Sequence, residues 1–476
     1  MNIVKFKGCN YLSNHISELP SNCLLNKGIT GCGGTTVELQ SKRNSIILCP
    51  TRNLVECKAK LGYFKVDGTV TEYQVLTYVN NTEGYKKIVA TYDALPKLMK
   101  LTDYFLLIDE YHLLFNEYSF RNHAIIFILK NFRKFNNWCF MTATPLKDEF
   151  ILEELKDVPK ITYKWEDTKL VDMDIIDTYY TTKEVLNLIN KHSDKNLHIF
   201  LNSVKTINNI VNKLNTDDYR IVCSSSIKSR VVNYADITSP IKKINFYTSC
   251  AFEGCDIYDT NGLGIIVSDT NIATTVLDIT TKVRQVCGRL RDSKYKDKVI
   301  LVINTSKHRY AGVSKSDFEK KIQESEKAGR NIINLYNKGT IEEKLDTASV
   351  FSFETYSTKY VNKYNNELFL DLNLKSLDIY NYNLISEIYN NSISVLMECA
   401  TVFNAEQKEK SKGLDWITKL VQHKEYTYQE LEIMFVPLFK QHNLKWDKKN
   451  SIKLYFPDHI AKRKQRNGKR EMYYQF

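Results

Sequence analysis

The chain has 476 residues, 43% of them hydrophobic and 26% charged, with a formal net charge of +12. That length suits about three domains of ~150 residues each, and the composition excludes a collagen-like or wholly disordered chain. The longest uncharged apolar stretches, such as 124–129, fall far short of the ~18–20 residues that span a bilayer, so no membrane segment is expected.

Lys5 and Lys7 near the start have no apolar core behind them, so a signal peptide is not expected and an intracellular location is. The positive excess favours a polyanion partner, though weakly when spread over a whole chain. Eleven cysteines, among them Cys49, Cys139 and Cys223 in apolar runs, show no CxxC or Cys/His cluster. They read as reduced, buried thiols, with neither a zinc site nor a disulfide framework.

In chain order, short apolar runs predict buried strands at 23–26, 45–50, 87–91, 104–109, 138–142, 197–201, 244–248, 264–268 and 298–304. Helical patterns lie between several of them, as at 206–214, with Ile207, Ile210, Val211 and Leu214 on one face. Strands alternating with helices predict an α/β fold of parallel sheets covered on both faces. A polar stretch at 166–172 divides the series into two lobes. Beyond residue 307 a Lys/Glu-rich helical pattern at 314–337 takes over, followed by Tyr- and Asn-rich segments. The expected domains are 1–168, 169–308 and a mostly helical accessory region 309–476. Within the last, 427–436 and 452–456 suggest a small winged-helix-like unit. Lys462, Arg463, Lys464, Arg466, Lys469 and Arg470 form a basic end that reads equally as a solvated tail or a nucleic-acid contact.

Gly28-Ile29-Thr30-Gly31-Cys32-Gly33-Gly34-Thr35-Thr36 follows the first strand. Gly28, Gly33 and Thr35 match the phosphate-binding pattern G-x4-G-K-[ST], whose glycines let backbone N–H groups turn inward around phosphate oxygens. Thr35 suits a Mg²⁺ ligand. The usual lysine is missing, because Gly34 occupies its place. Either Lys27, just before the loop, supplies the ammonium, or the protein is a non-catalytic scaffold with a degenerate site. On the first alternative Lys27→Ala abolishes turnover and Gly34→Lys preserves or raises it. Asp109-Glu110-Tyr111-His112 ends a strand with two acids, Asp109 for Mg²⁺ and Glu110 to orient and deprotonate water. Thr142-Ala143-Thr144-Pro145 ends another. Further on come Thr248, then Glu253-Gly254-Cys255-Asp256, then Gln285-Val286-Cys287-Gly288-Arg289-Leu290-Arg291, where the arginines read as part of a helix start. Guanidinium groups delivered from a second body suit the charge that develops on a γ-phosphate.

In order and spacing these motifs resemble a superfamily 2 nucleic-acid helicase of the DExH kind over residues 20–305. They are most similar to the origin-binding-protein-like helicases of viruses and phages, whose last motif also reads Q-x-x-G-R-x-R. The resemblance implies two RecA-like lobes with ATP and Mg²⁺ between them and a nucleic-acid strand, DNA by family analogy, across the top. It makes Lys27 and Gly28–Thr36, with Gly254 and Asp256, the nucleotide-binding set, and Thr35 with Asp109 the metal set. Glu110, Asp109, Gln285, Arg289 and Arg291 become catalytic. His112, Thr142 and Thr144 couple the lobes, and Thr51, Arg52, Thr91, Ser203 and Thr248 contact the strand. For the last five the competing reading is helix capping, a common role of Ser and Thr at such ends. A replication or recombination role, a protein partner docked on the C-terminal region and a phage origin, with the host cytoplasm as location, complete the expectation.

Overall fold

The computed structural model describes the chain apart from residues 1, 9–10, 167–169, 306–309, 311, 341–359, 365–366, 389–402, 411–424, 442–459, 467–468 and 476. Residues 1–407 form one compact unit and 408–476 a second.

The first sheet contains β1 (Asn2–Phe6), β2 (Cys23–Asn26), β3 (Ser45–Cys49), β4 (Phe64–Val66), β5 (Lys87–Thr91), β6 (Phe105–Asp109), β7 (Asn137–Thr142) and β8 (Lys160–Trp165). All run parallel in the order β1-β8-β2-β7-β6-β3-β5-β4. Its central strands are apolar throughout because helices cover both faces; every residue of β3, β5 and β6 is buried. The register sets Asp109 opposite Met141, Asn26 opposite Thr142 and Cys49 opposite Thr91. The carboxyl ends of five strands therefore share one edge, where open α/β sheets place their ligands.

The second sheet includes β9 (Val171–Asp177), β10 (Asn196–Phe200), β11 (Tyr219–Val222), β12 (Tyr234–Ala235), β13 (Ile244–Tyr247), β14 (Gly262–Asp269) and β15 (Lys298–Asn304). These seven are parallel in the order β12-β11-β13-β10-β14-β15-β9. The chain thus has the α/β class expected of it, two parallel-sheet lobes with helices elsewhere. β1, β4, β8, β9, β11 and β12 were not expected; they lie at or beside sheet edges, and most carry polar residues among apolar ones. The polar stretch at 166–172 is shorter than expected, because β9 already begins at Val171.

Helices close the crossovers: α1 (Gly34–Gln40), α2 (Arg52–Ala59), α3 (Glu72–Asn81), α4 (His112–Asn116), α5 (Tyr118–Asn131), α6 (Thr181–Lys191), α7 (Val204–Val211), α8 (Arg284–Cys287) and α9 (Lys315–Lys338). Thr71 caps α3 in a reciprocal box with Gln74, and Ser314 caps α9 through the Asp317 N–H at 3.1 Å. One apolar cluster runs through both lobes and includes Leu106, Ile108, Phe115, Ile266, Ile279 and Val283. It also takes in Leu377, Tyr380 and Leu384, so the helix Leu372–Asn383 is packed into the body of the protein.

In residues 408–476 a helix, Tyr428–Gln441, accompanies three antiparallel strands in the order Glu425–Thr427, Lys469–Gln475, Ile460–Arg466. The basic end, read from the sequence as a solvated tail or a nucleic-acid contact, therefore lies on two paired strands of this sheet. The strand expected at 452–456 lies outside the described residues. No described helix is long and apolar enough to cross a membrane.

Candidate active site between the lobes

The glycine-rich segment leaves β2 at Asn26 and enters α1 at Gly34. Gly28 and Gly31 have φ of +82° and +74°, left-handed values that suit glycine. A Cβ on Gly28 would come 2.5 Å from the Tyr163 carbonyl, and one on Gly31 would overlap the Arg291 guanidinium. Thr30 fits against the other lobe only because Gly288 has no side chain. Asn26 Oδ1 accepts from the Gly28 N–H at 2.9 Å, and Trp165 Nε1 donates to the Lys27 carbonyl at 2.8 Å. The loop is pinned at its base while its middle lines the cleft.

Lys27 is 6% exposed, and its ammonium lies 2.9 Å from Glu110 Oε1 and 3.8 Å from Asp109 Oδ1. Burial opposes that charge, but the two carboxylates outweigh it and hold the lysine above its ordinary range. Gly34 explains how the lysine fits there. A Cβ at 34 would sit 2.6 Å from the Met141 sulphur and 3.4 Å from Lys27 Cδ. The Lys27 stem and Met141 fill the space that a lysine at 34 would need. The expectation that Gly34→Lys preserves turnover is therefore corrected: as a single change it crowds Met141 and Lys27.

Thr35 Oγ1 donates to Asp109 Oδ2 at 2.7 Å. Burial raises the Asp109 pKa, with Lys27 and the Thr35 hydrogen bond working against the rise. Glu110 has a φ of +52°, rare for a side-chain-bearing residue, and the Tyr92 hydroxyl holds the adjoining Asp109 carbonyl at 2.6 Å. Glu110 Oε2 accepts from Thr142 Oγ1 and Gln285 Nε2, both at 2.9 Å. Burial works against ionisation of Glu110, but Lys27 prevails and brings its pKa down to about 2.

The Thr142 hydroxyl has one hydrogen, which goes to Glu110, so it accepts at its oxygen from the Thr144 N–H (3.1 Å) and from His112 Nδ1 (2.8 Å). His112 is therefore the Nδ1–H tautomer. Burial lowers its pKa to about 4, and its Nε2 is buried with no hydrogen-bond partner among the described residues.

From the second lobe, Gln285 Nε2 also donates to Thr144 Oγ1 at 3.1 Å. Arg289 and Arg291 follow the end of α8, with Gly288 as its C-cap, so the expected helix start is in fact a helix end. Arg289 is buried and donates to the Gln285 and Cys255 carbonyls. Arg291 pairs with Asp256 at 2.5 Å. Asp256 and Gly254 both line the cleft, Asp256 paired with Arg291 and Gly254 packed against Leu54 of the first lobe. One residue that sequence reasoning missed is Arg284, whose Nη2 donates to the Gly28 carbonyl at 2.5 Å.

These groups line a cavity of about 1070 Å³ that includes Lys27, Thr35, Asp109, Glu110, Arg289 and Arg291. Cys32, within the loop, is buried with its thiol turned toward the Lys27 carbonyl and pushed up to about 11 by burial. Among the described residues no group of three or more His, Cys, Asp or Glu could hold a metal ion. The Thr35–Asp109 pair nevertheless fits Mg²⁺, which takes one or two protein oxygens and completes its shell with phosphate and water.

The five residues expected at the strand lie at carboxyl edges of the sheets. Thr51 caps α2, accepting from the Leu54 N–H at 3.2 Å, and Ser203 caps α7, accepting from the Thr206 N–H at 3.2 Å. Capping thus occupies one acceptor site on each. Thr248 and Thr91 are buried, and Thr248 Oγ1 donates to the Val222 carbonyl at 3.4 Å. Arg52 is exposed, 3.3 Å from Asp67, and with Thr91 and Arg121 it lines a separate hollow of about 270 Å³.

Glu253, between Thr248 and Gly254, is buried, and its Oε1 has no hydrogen-bond partner among the described residues. Burial raises its pKa to about 7; Glu117 and Glu110 act in the same sense and Lys282 against it. The fold favours its acid form, so this contribution to stability is full below the ordinary value of 4.5 and is lost as the pH rises through 7. Glu253→Gln is expected to raise the thermal midpoint at pH 8 by a few degrees and to flatten its fall between pH 5 and 8. A scanning-calorimetry profile with unchanged slope would refute this assignment.

No family model and no curated protein matches the chain. Its structural neighbours are superfamily 2 helicases at low identity. The Mycobacterium smegmatis helicase Lhr bound to ssDNA and AMP-PNP is 14% identical with a TM-score of 0.43, covering 64% of this chain and 45% of Lhr. S. cerevisiae Dbp5 bound to RNA and ADP BeF3 is 15% identical with a TM-score of 0.42, covering 64% of this chain and 83% of that one. A hypothetical ATP-dependent RNA helicase from Sulfolobus tokodaii is 16% identical with a TM-score of 0.25, covering 60% and 87%. This chain thus spans less than half the length of Lhr.

Proposed function

We propose that the protein is an ATP-dependent nucleic-acid translocase that separates duplex, a DExH helicase of the viral and phage origin-binding type, with DNA as its strand. The observation that carries this reading is the cleft itself. Lys27, Thr35, Asp109 and Glu110 on one sheet face Arg289 and Arg291 from the other around a single cavity, and Gln285 bonds Glu110 across the lobes.

Each group has a task that its surroundings suit. The loop Gly28–Thr36 cradles the phosphates, and Lys27, displaced by seven positions from the usual lysine site, supplies the ammonium. Thr35 and Asp109 would hold Mg²⁺, which supplies charge neutralisation at the phosphates when bound. Glu110 orients water, and Gln285 ties it to the second lobe. Arg291 and Arg289 stabilise charge developing on the γ-phosphate. Because Arg284 and Gly288 contact the phosphate loop directly, opening and closing of the lobes is bound to phosphate occupancy. Thr51, Arg52, Thr91, Ser203 and Thr248 line the sheet edges where a backbone would pass, contacts that position a strand without reading its sequence. A role in replication or recombination, in a phage-infected cell, and a protein partner on the C-terminal region belong to the same reading.

Gly34 in place of a lysine favours one rival, a DNA-binding scaffold with a nucleotide site that no longer turns over. Steady-state hydrolysis of ATP with Mg²⁺, measured with and without single-stranded DNA, separates the two. The helicase reading expects stimulation of tenfold or more and strand displacement from a tailed duplex. Hydrolysis absent under both conditions establishes the scaffold.

A further inference from the structure

The helix Leu372–Asn383 lies far along the chain from every motif of the cleft, yet it touches both halves of it. Asp371 caps the helix, accepting from the Asn373 and Leu374 N–H groups at 3.1 Å each. Asn373 then anchors it to the first lobe. Its Oδ1 accepts from the Glu153 N–H, and its Nδ2 donates to Glu154 Oε2, both at 3.1 Å. Lys375 bridges to Glu326 of α9 at 2.7 Å, and Tyr382 stacks on Phe318 at 4.1 Å between ring centres.

Tyr380 is the residue that reaches the site. Its ring meets Phe115 edge-on at 5.4 Å and Phe150 edge-on at 5.1 Å. Phe115 is on α4, the helix that begins with His112, two residues after Glu110. The Tyr380 hydroxyl donates to Asp278 Oδ2 in the second lobe. The other carboxylate oxygen of Asp278 accepts from the Thr280 N–H and Oγ1, both at 2.7 Å, and so caps the π-helical turn Ile279–Val283. That turn runs straight into α8, which presents Gln285 to Glu110 and ends at Gly288, just before Arg289. One side chain therefore bears on the helix of His112 with its ring and on the cap of the Gln285 segment with its hydroxyl.

We infer that Tyr380 is a positioning residue for ATP hydrolysis, holding the segment Ile279–Arg291 in register with Glu110 through Asp278. The inference rests on the ATPase reading for its kinetic consequence but not for its structural one. The geometry assigns separate work to the two parts of the side chain. The ring belongs to the apolar cluster shared by both lobes, and its loss would disturb packing. The hydroxyl holds the second oxygen of a carboxylate whose first oxygen caps the turn, and Asp278 is 3% exposed, so water does not readily replace that bond.

The test uses the full chain with Tyr380→Phe, which keeps the ring, and Asp278→Ser, which can still cap the turn but has no second oxygen to receive the Tyr380 hydroxyl. Without nucleotide, amide exchange in 279–291 is expected to accelerate on the order of tenfold in either variant, while β3 and β6 stay protected. In turnover, kcat falls about tenfold with KM for ATP within twofold, and the double variant is no worse than the singles because one contact is removed twice. Unchanged exchange in 279–291 overturns the inference whatever the turnover does. So does a uniform rise in exchange with kcat per folded molecule intact, the signature of packing alone. A wild-type chain with no ATPase would refute the proposed function, and the exchange experiment would still decide the role of Tyr380.

Discussion

Lys27→Ala is expected to abolish ATP turnover, lowering kcat by two to three orders of magnitude, the usual cost of removing one charged group from a phosphate transition state. The ammonium lies between two buried acids, 2.9 Å from one and 3.8 Å from the other, and among the cavity-lining residues it stands where the first lobe's phosphate loop and acid pair meet. Its removal also leaves Asp109 and Glu110 as adjacent buried acids without their counter-charge, a change that costs ~3–5 kcal/mol in comparable pairs. Loss of fold must therefore be separated from loss of chemistry. Circular dichroism and ATP-analogue binding should be measured beside turnover, and chemistry is at fault if the fold survives. A sharper control uses the crowding at Gly34. Gly34→Lys alone should lower turnover, because its side chain meets Met141 and the Lys27 stem. Combined with Lys27→Ala it gains the vacated channel and should recover part of the lost rate. Unchanged turnover in Lys27→Ala would remove this residue from the chemistry.

The parts of the fold that could be read from the amino-acid order are those with both faces covered. β3, β6 and β14 are unbroken apolar runs because no side of them meets water. β8 and β9, KITYKW and VDMDIID, lie toward the margins and keep charged residues on their less covered sides, which hid them. β11 was lost for a different reason. Arg220 breaks its short run, yet it is buried because Asn245 and Tyr247 receive its donors at 2.7 and 3.0 Å. Such pairing is tertiary and leaves no local pattern. The same distinction runs through the cleft. Acids and arginines in spaced motifs announce themselves, and the structure gathers Lys27, Glu110, Gln285 and Arg289 as their spacing suggested. Arg284 and Trp165 act on backbone carbonyls of the phosphate loop, and a carbonyl has no residue type to recognise. Tyr380 sits in a Tyr/Asn-rich stretch whose neighbours give no sign that one ring lies between two lobes.

Glu110→Gln should separate binding from hydrolysis. The carboxylate has three strong donors, Lys27, Thr142 and Gln285, and with its pKa at about 2 it is ionised throughout the physiological range. A carboxylate held that low is a poor proton acceptor at neutral pH. The cause of the depression, however, is chiefly Lys27, the group that a triphosphate would compete for. Phosphate oxygens drawing the ammonium away would let the Glu110 pKa rise toward the range in which a base works, so that nucleotide binding itself arms the site. Glutamine cannot respond in this way. It has one acceptor where the glutamate has two, and its amide donors would face Lys27 or the hydroxyl and amide donors on the other side. The expected result is a kcat about 10³-fold lower, within the 10²–10⁴ range for loss of a positioned base, with ATP affinity retained or tightened. Because the native base is freed only in the complex, the wild-type kcat should keep an acidic limb well above pH 2, and that limb should vanish in the variant. Equilibrium binding of labelled ATP and single-turnover rates between pH 5 and 9 measure both. A variant that hydrolyses ATP at the wild-type rate would place the base elsewhere in the cleft.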